Sequence, residues 1–103
     1  MIVNAMTLAE LKRTLSEANP PAGLTPALVA LWWARNDTWD KAHKLVMDEG
    51  GKDCAWVHAH LHRVEGDQEN AGYWYRQAGR SVASGSLPDE WEAITKAMLA
   101  DEH

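Results

Sequence analysis

The 103 residues are enough for one domain with one modest core, not two. Hydrophobic residues at 46% and charged residues at 24% are an ordinary soluble balance. A formal net charge of -5, with acids spread along the chain, argues against nucleic acid or an anionic membrane as partner, since both reward basic patches.

The N-terminal stretch "MIVNAMTLAELKR" lacks a basic start and a continuous apolar core, so it does not read as a signal peptide. "TLAE" is a capping box, in which Thr7 accepts from the Glu10 amide and Glu10 reaches back. The first helix is predicted from there to Ala18, with Leu8, Leu11 and Leu15 at helical spacing. Proline in "NPPAG" stops it. "TP" starts a second helix, "PALVALWWAR", with Thr25 as N-cap and Pro26 in the first helical position. Asp37 is predicted to cap a third, "TWDKAHKLVMDE", which Gly50 and Gly51 terminate. A fourth, "KDCAWVHAHLHRVE", stops at Gly66, and Asp67 caps a fifth, "QENAGYWYRQA", which stops at Gly79. After the link "SVASGS", Ser86 caps a final helix with Trp91, Ile94, Met98 and Leu99 on one side. The fold class is all-α: about six short helices forming antiparallel hairpins in one domain over residues 1–103.

Cys54 is the one cysteine, so no internal disulfide can form and nothing supports an oxidising compartment. No apolar run reaches the ~20 residues of a membrane span, so a cytoplasmic protein is expected. Six Trp and no Phe mean a core filled by indoles, each wanting a partner for its N–H.

From Gly66 the chain reads Gly-Asp-x-x-x-Ala-x-x-x-Tyr-x-x-Ala, through Asp67, Ala71, Tyr75 and Ala78. This resembles the second half of a tetratricopeptide-type repeat. The resemblance implies a tight turn at Gly66 and Asp67, close helix approach at Ala71 and Ala78, and Tyr75 filling the gap. It places the small position of the preceding helix on Ala59 and its large positions on His58 and His62. Trp56 stands one residue from the family's tryptophan position, and Ala83 replaces a frequent proline. A weaker copy, "LWWARNDTWDKAHKLV", lies about thirty residues earlier, with Ala42 and Val46 in comparable places. The chain is also similar to small, uncharacterised bacterial all-helical proteins with a WVHAxLHRxEGDxxNAxYWYR segment. That similarity implies no particular activity.

The fourth helix carries the chemistry-bearing residues. His58 and His62 lie about 40° apart on one face, whereas His60 points the other way and is expected to be silent. Cys54 and Glu65 fall on the His58/His62 side, giving a line Cys54, His58, His62, Glu65. Two histidines four residues apart on a helix can reach one zinc or other divalent ion, with His43 or Asp48 as a further ligand. The preferred reading is plainer: both histidines replace apolar residues at a helix contact and hydrogen-bond to neighbours. Acid–base chemistry is a third reading, but nothing marks a nucleophile; Cys54 sits in an apolar helical pattern as a packed hydrophobe would.

Trp32, Trp33 and Trp39 cluster near one turn, and Tyr73, Trp74 and Tyr75 are consecutive, so at least one ring faces outward. They line a binding groove ringed by Arg35, Arg63, Arg76 and Arg80, or they wrap flanking helices with arginines stacked on their faces. Two functions follow. The first is a small non-catalytic helical module binding a protein or peptide, with terminal helices capping the ends or a homodimer completing the core. The second is a small metal-dependent or histidine-assisted enzyme centred on His58, His62 and Glu65.

Overall fold

A computed structural model describes residues 6–101 of the chain. Its helices are α1 (Leu8–Arg13), α2 (Pro26–Arg35), α3 (Trp39–Asp48), α4 (Lys52–Glu65), α5 (Gln68–Ala78) and α6 (Leu87–Asp101), with a 3₁₀ turn at Thr14–Ser16. No strand occurs among the described residues, so the class is all-α as read from the sequence. The beginning of the N-terminal stretch, Met1 to Ala5, lies outside the described residues. No helix in the described part is long and apolar enough to cross a membrane.

Most boundaries follow local chemistry. Thr7 and Glu10 close the capping box at 3.1 and 2.9 Å, and the Thr25 hydroxyl accepts from the Leu28 amide. Asp67 accepts from the Asn70 amide at 3.2 Å, and Ser86 from the Asp89 amide at 3.1 Å. Gly66 ends α4 at φ 88° and Gly79 ends α5 at φ 71°, in the left-handed region where a Cβ is penalised.

Two boundaries differ from expectation. The first helix stops at Arg13 and its 3₁₀ turn at Ser16, short of Ala18. The Thr14 and Ser16 hydroxyls bond back to the carbonyls of Leu11 and Arg13, which competes with further helix. Asp37 does not cap α3. It takes φ 59° and gives its amide to Ala34 at the end of α2, and Thr38 becomes the N-cap residue.

The main core joins α1, α2, α3, α4 and α6 through Leu11, Leu28, Leu31, Trp32, Val46, Val57, Leu61, Trp91 and Ile94, all buried. Its indoles are satisfied: Trp32 donates to Thr14 at 2.9 Å and Trp91 to the Leu31 carbonyl at 2.7 Å. A second, smaller cluster of Ala59, Ala71 and Tyr75 seals α5 onto α4. The two alanines allow close approach of the hairpin helices, and Tyr75 fills the space beside them. Helix α4 is therefore central, with α3 and α5 both packed on it, while α3 and α5 do not pack extensively on each other.

Candidate functional site

Three imidazoles meet on the face of α4 that looks toward α3 and α5. His58 and His62 come from α4 and His43 from α3, and one nitrogen from each lies within 4.8 Å of the others. His43 Nε2 and His58 Nε2 are 3.0 Å apart, so one ring donates and the other accepts. The rings of His58 and His62 stack at 4.9 Å, and that of His43 stands edge-on to both. His58 and His62 are buried and His43 is half-buried.

Each ring is held by something outside the trio. Trp39, one turn before His43 on α3, stacks on it at 4.5 Å with planes 12° apart. The Trp39 indole is itself fixed, donating to the Leu61 carbonyl of α4 at 2.8 Å. Trp74 of α5 stacks on His58 at 4.0 Å and 14°. Glu65 accepts from His62 Nδ1 at 2.6 Å, which sets that ring's tautomer and leaves Nε2 without its proton when the ring is neutral. A second cluster of ligand-type atoms, His62, Glu65 and Asp67, shares His62, but both Asp67 oxygens already accept from Asn70.

Burial, and then the neighbouring His43 and His62, push the His58 imidazole down to about 4. His43 is lowered too, by burial first and then by His62, with Glu65 and Asp40 pulling the other way. At neutral pH His43 and His58 therefore carry lone pairs and no charge, the form in which imidazole binds a metal. A tetrahedral ion with Zn–N bonds of about 2.0–2.1 Å keeps its nitrogens about 3.3 Å apart, close to the His43–His58 separation.

The line drawn from the sequence is divided by the structure. His58 and His62 come together as expected, and His43, named there only as a further ligand, is a full member. Glu65 is present, but behind His62 on its Nδ1 side. Cys54 is a correction: it belongs to the apolar core, and burial followed by Glu49 and Asp53 pushes its thiol pKa up. Asp48 is paired with Lys44 at 3.0 Å in solvent and takes no part.

His60 is the second correction. It does point away from His58 and His62, but it is buried, 3% exposed, and its Nδ1 donates to Glu90 at 2.8 Å. Glu90 of α6 also accepts from Arg63 at 2.8 Å and from the Tyr75 hydroxyl. Burial raises the Glu90 carboxyl, but the bonds from His60 and Tyr75 and the His60 and Arg63 interactions hold it below the usual range. All its oxygens are engaged, and no buried side-chain nitrogen or oxygen among the described residues lacks a partner. This network is a structural tie. The four arginines do not ring one groove: Arg63 serves Glu90, Arg80 stacks over Trp56 at 3.7 Å, Arg35 sits over Trp91 at 5.5 Å, and Arg76 lines a separate surface hollow with Asp67 and Tyr73. Of the consecutive aromatics, Tyr75 is buried, Trp74 half-buried and Tyr73 exposed.

No protein-family model, no curated protein and no solved structure matches the chain.

Proposed function

We propose that this protein is a small helical metal-binding protein that takes one late first-row divalent ion, zinc foremost, at His43, His58 and His62. The observation that carries the reading is the meeting of three imidazole nitrogens within 4.8 Å, two of the rings buried and one oriented by a carboxylate. Three imidazole nitrogens suit zinc, cobalt, nickel or copper; magnesium and calcium prefer oxygen donors. The Glu65–His62 pair repeats the carboxylate–imidazole arrangement that orients metal-bound histidines and raises their basicity.

The test is calorimetric titration of chelator-treated protein with zinc at neutral pH. One equivalent should bind. His43→Gln, at a half-exposed position, should keep the fold by circular dichroism and lose more affinity than the roughly 10–100-fold that loss of an outer-shell partner costs. Cys54→Ser should bind as the parent does. A folded parent that takes no zinc, or a His43→Gln variant that binds unchanged, overturns the reading and returns the trio to packing alone.

The interaction-module reading is favoured by a separate observation. Helix α5 packs on α4, and its other side carries Tyr73, 45% exposed and set edge-on against Trp74. With the tetratricopeptide-type pattern of Gly66, Asp67, Ala71 and Tyr75, this supports a protein or peptide partner, or a second copy of the chain. Loss of a partner on Tyr73→Ala with the zinc site intact would separate the two functions.

A further inference from the structure

We infer that the ion at His43, His58 and His62 keeps one coordination position open, filled by water and exchangeable for a small monodentate donor, so that the centre acts as a Lewis acid rather than a closed structural clip. The inference rests on the metal-binding reading above and concerns what the fourth position does.

Counting donors leads there. Zinc and cobalt in such sites are commonly four-coordinate, and closed structural sites supply four protein ligands. Among the described residues, three nitrogens come together. The nearest carboxylate, Glu65, is engaged with Nδ1 of His62, across the ring from the Nε2 left for an ion, so it orients and does not ligate. The sulfur of Cys54 lies in the core and beside a surface hollow lined by Thr25, Gly50 and Lys52 at the opposite end of α4 from Glu65. Asp48 is held by Lys44, and the Asp67 oxygens by Asn70. None of these is placed to close the shell.

The surroundings say where the fourth position points. Helix α4 is the floor. The Trp39 and Trp74 rings cover the His43 and His58 faces from α3 and α5. His58 and His62 are buried and His43 is half-buried, so the side of His43 is the one that solvent reaches. A ligand arriving there meets a divalent ion between two indoles, a space suited to water, azide or imidazole rather than a bulky chelate. Ligand exchange here breaks only the metal–water bond and forms one metal–donor bond.

The probe is the cobalt(II)-loaded protein, whose visible spectrum reports its coordination, titrated with sodium azide while size exclusion follows the oligomeric state. The expected result is a saturable spectral change at one azide per cobalt in a monomer. Cys54→Ser should show the same change. Glu65→Gln should bind cobalt roughly 10–100-fold more weakly and still show it once loaded, as an orienting carboxylate requires. An azide response seen only in Glu65→Gln would make Glu65 the fourth ligand and overturn the inference. So would a cobalt spectrum indifferent to azide, or a cobalt-dependent dimer in which a second copy fills the position. Failure of the parent to hold cobalt or zinc overturns the metal-binding reading itself, an outcome distinct from cobalt held in an azide-silent site.

Discussion

His58 shows how one residue can be a packing group and also a member of the proposed metal site. Its ring is 4% exposed, stacked on Trp74 and bonded to His43, and burial holds it uncharged, with its pKa near 4. An unfolded chain returns it to about 6.5. The unfolded state then binds more protons than the folded one between those values, so stability rises with pH across that window and is lost as pH falls from about 6.5 toward 4. The lowered His43 adds in the same direction. The other titratable groups around the pair are His62 and Glu65 on α4 and Asp40 on α3. For the metal-free protein we predict a fall on the order of 2 kcal/mol between neutral pH and pH 4.5, measured by urea melts at each pH. His58→Leu should flatten that slope, because it removes the group that must take up the proton. An unchanged slope in that variant would count against a neutral, buried His58. His60, by contrast, donates to a carboxylate that holds its partners together, so His60→Leu should destabilise the fold rather than pass unnoticed.

At the scale of the helices, the α4–α5 hairpin that places Trp74 over His58 depends on small residues and one turn. Ala71 is wholly buried against Ala59 and Tyr75. Ala71→Leu should wedge the helices apart and cost ~1–3 kcal/mol in a urea melt. It should also weaken zinc binding by lifting Trp74 from His58. Gly66→Val should cost roughly 1 kcal/mol through backbone strain alone, since its φ is 88° and nothing lies within 4 Å of an added Cβ. A melt unaffected by either substitution would place the turn elsewhere. These features were legible because their chemistry is local: Thr7 with Glu10, Thr25 with Leu28 and Asp67 with Asn70 each act across three residues. Asp37 departs from expectation for the same reason in reverse, because two local uses compete and ending α2 wins over starting α3. The site was half legible. Helical phase puts His58 and His62 on one face and His60 on the other. It cannot say that His43, fifteen residues away, closes the trio, nor that Glu90, thirty away, waits for His60. Phase gives a direction, and the partner found in that direction is a property of the fold.

The whole molecule is organised about α4, which presents a different kind of polarity on each side. Toward α3 and α5 it offers His58 and His62; toward α6 it offers His60 and Arg63, which meet Glu90 together with Tyr75 from α5. The two sides serve different ends. The trio has nitrogens that can exchange a hydrogen bond for a metal bond, while the Glu90 network spends every oxygen on α4 and α5. Glu90 is thus the point at which α4, α5 and α6 are tied, at 7% exposure, by a carboxylate that is charged in the folded state. Removing one member of a buried charged set leaves the others desolvated and unpaired, which typically costs about 3–5 kcal/mol. Glu90→Ala should therefore lower the urea midpoint sharply and loosen α6, with Arg63 and His60 left facing each other. Glu90→Gln keeps the shape but replaces the charge and turns one acceptor into a donor, so it should cost less, about 1–3 kcal/mol. Because these partners lie on the side of α4 away from His58 and His62, the folded fraction of Glu90→Gln should still take up zinc with little change in affinity. A Glu90→Gln protein as stable as the parent would show the network to be incidental. One that is folded but no longer binds zinc would show that the two faces of α4 are coupled through the helix.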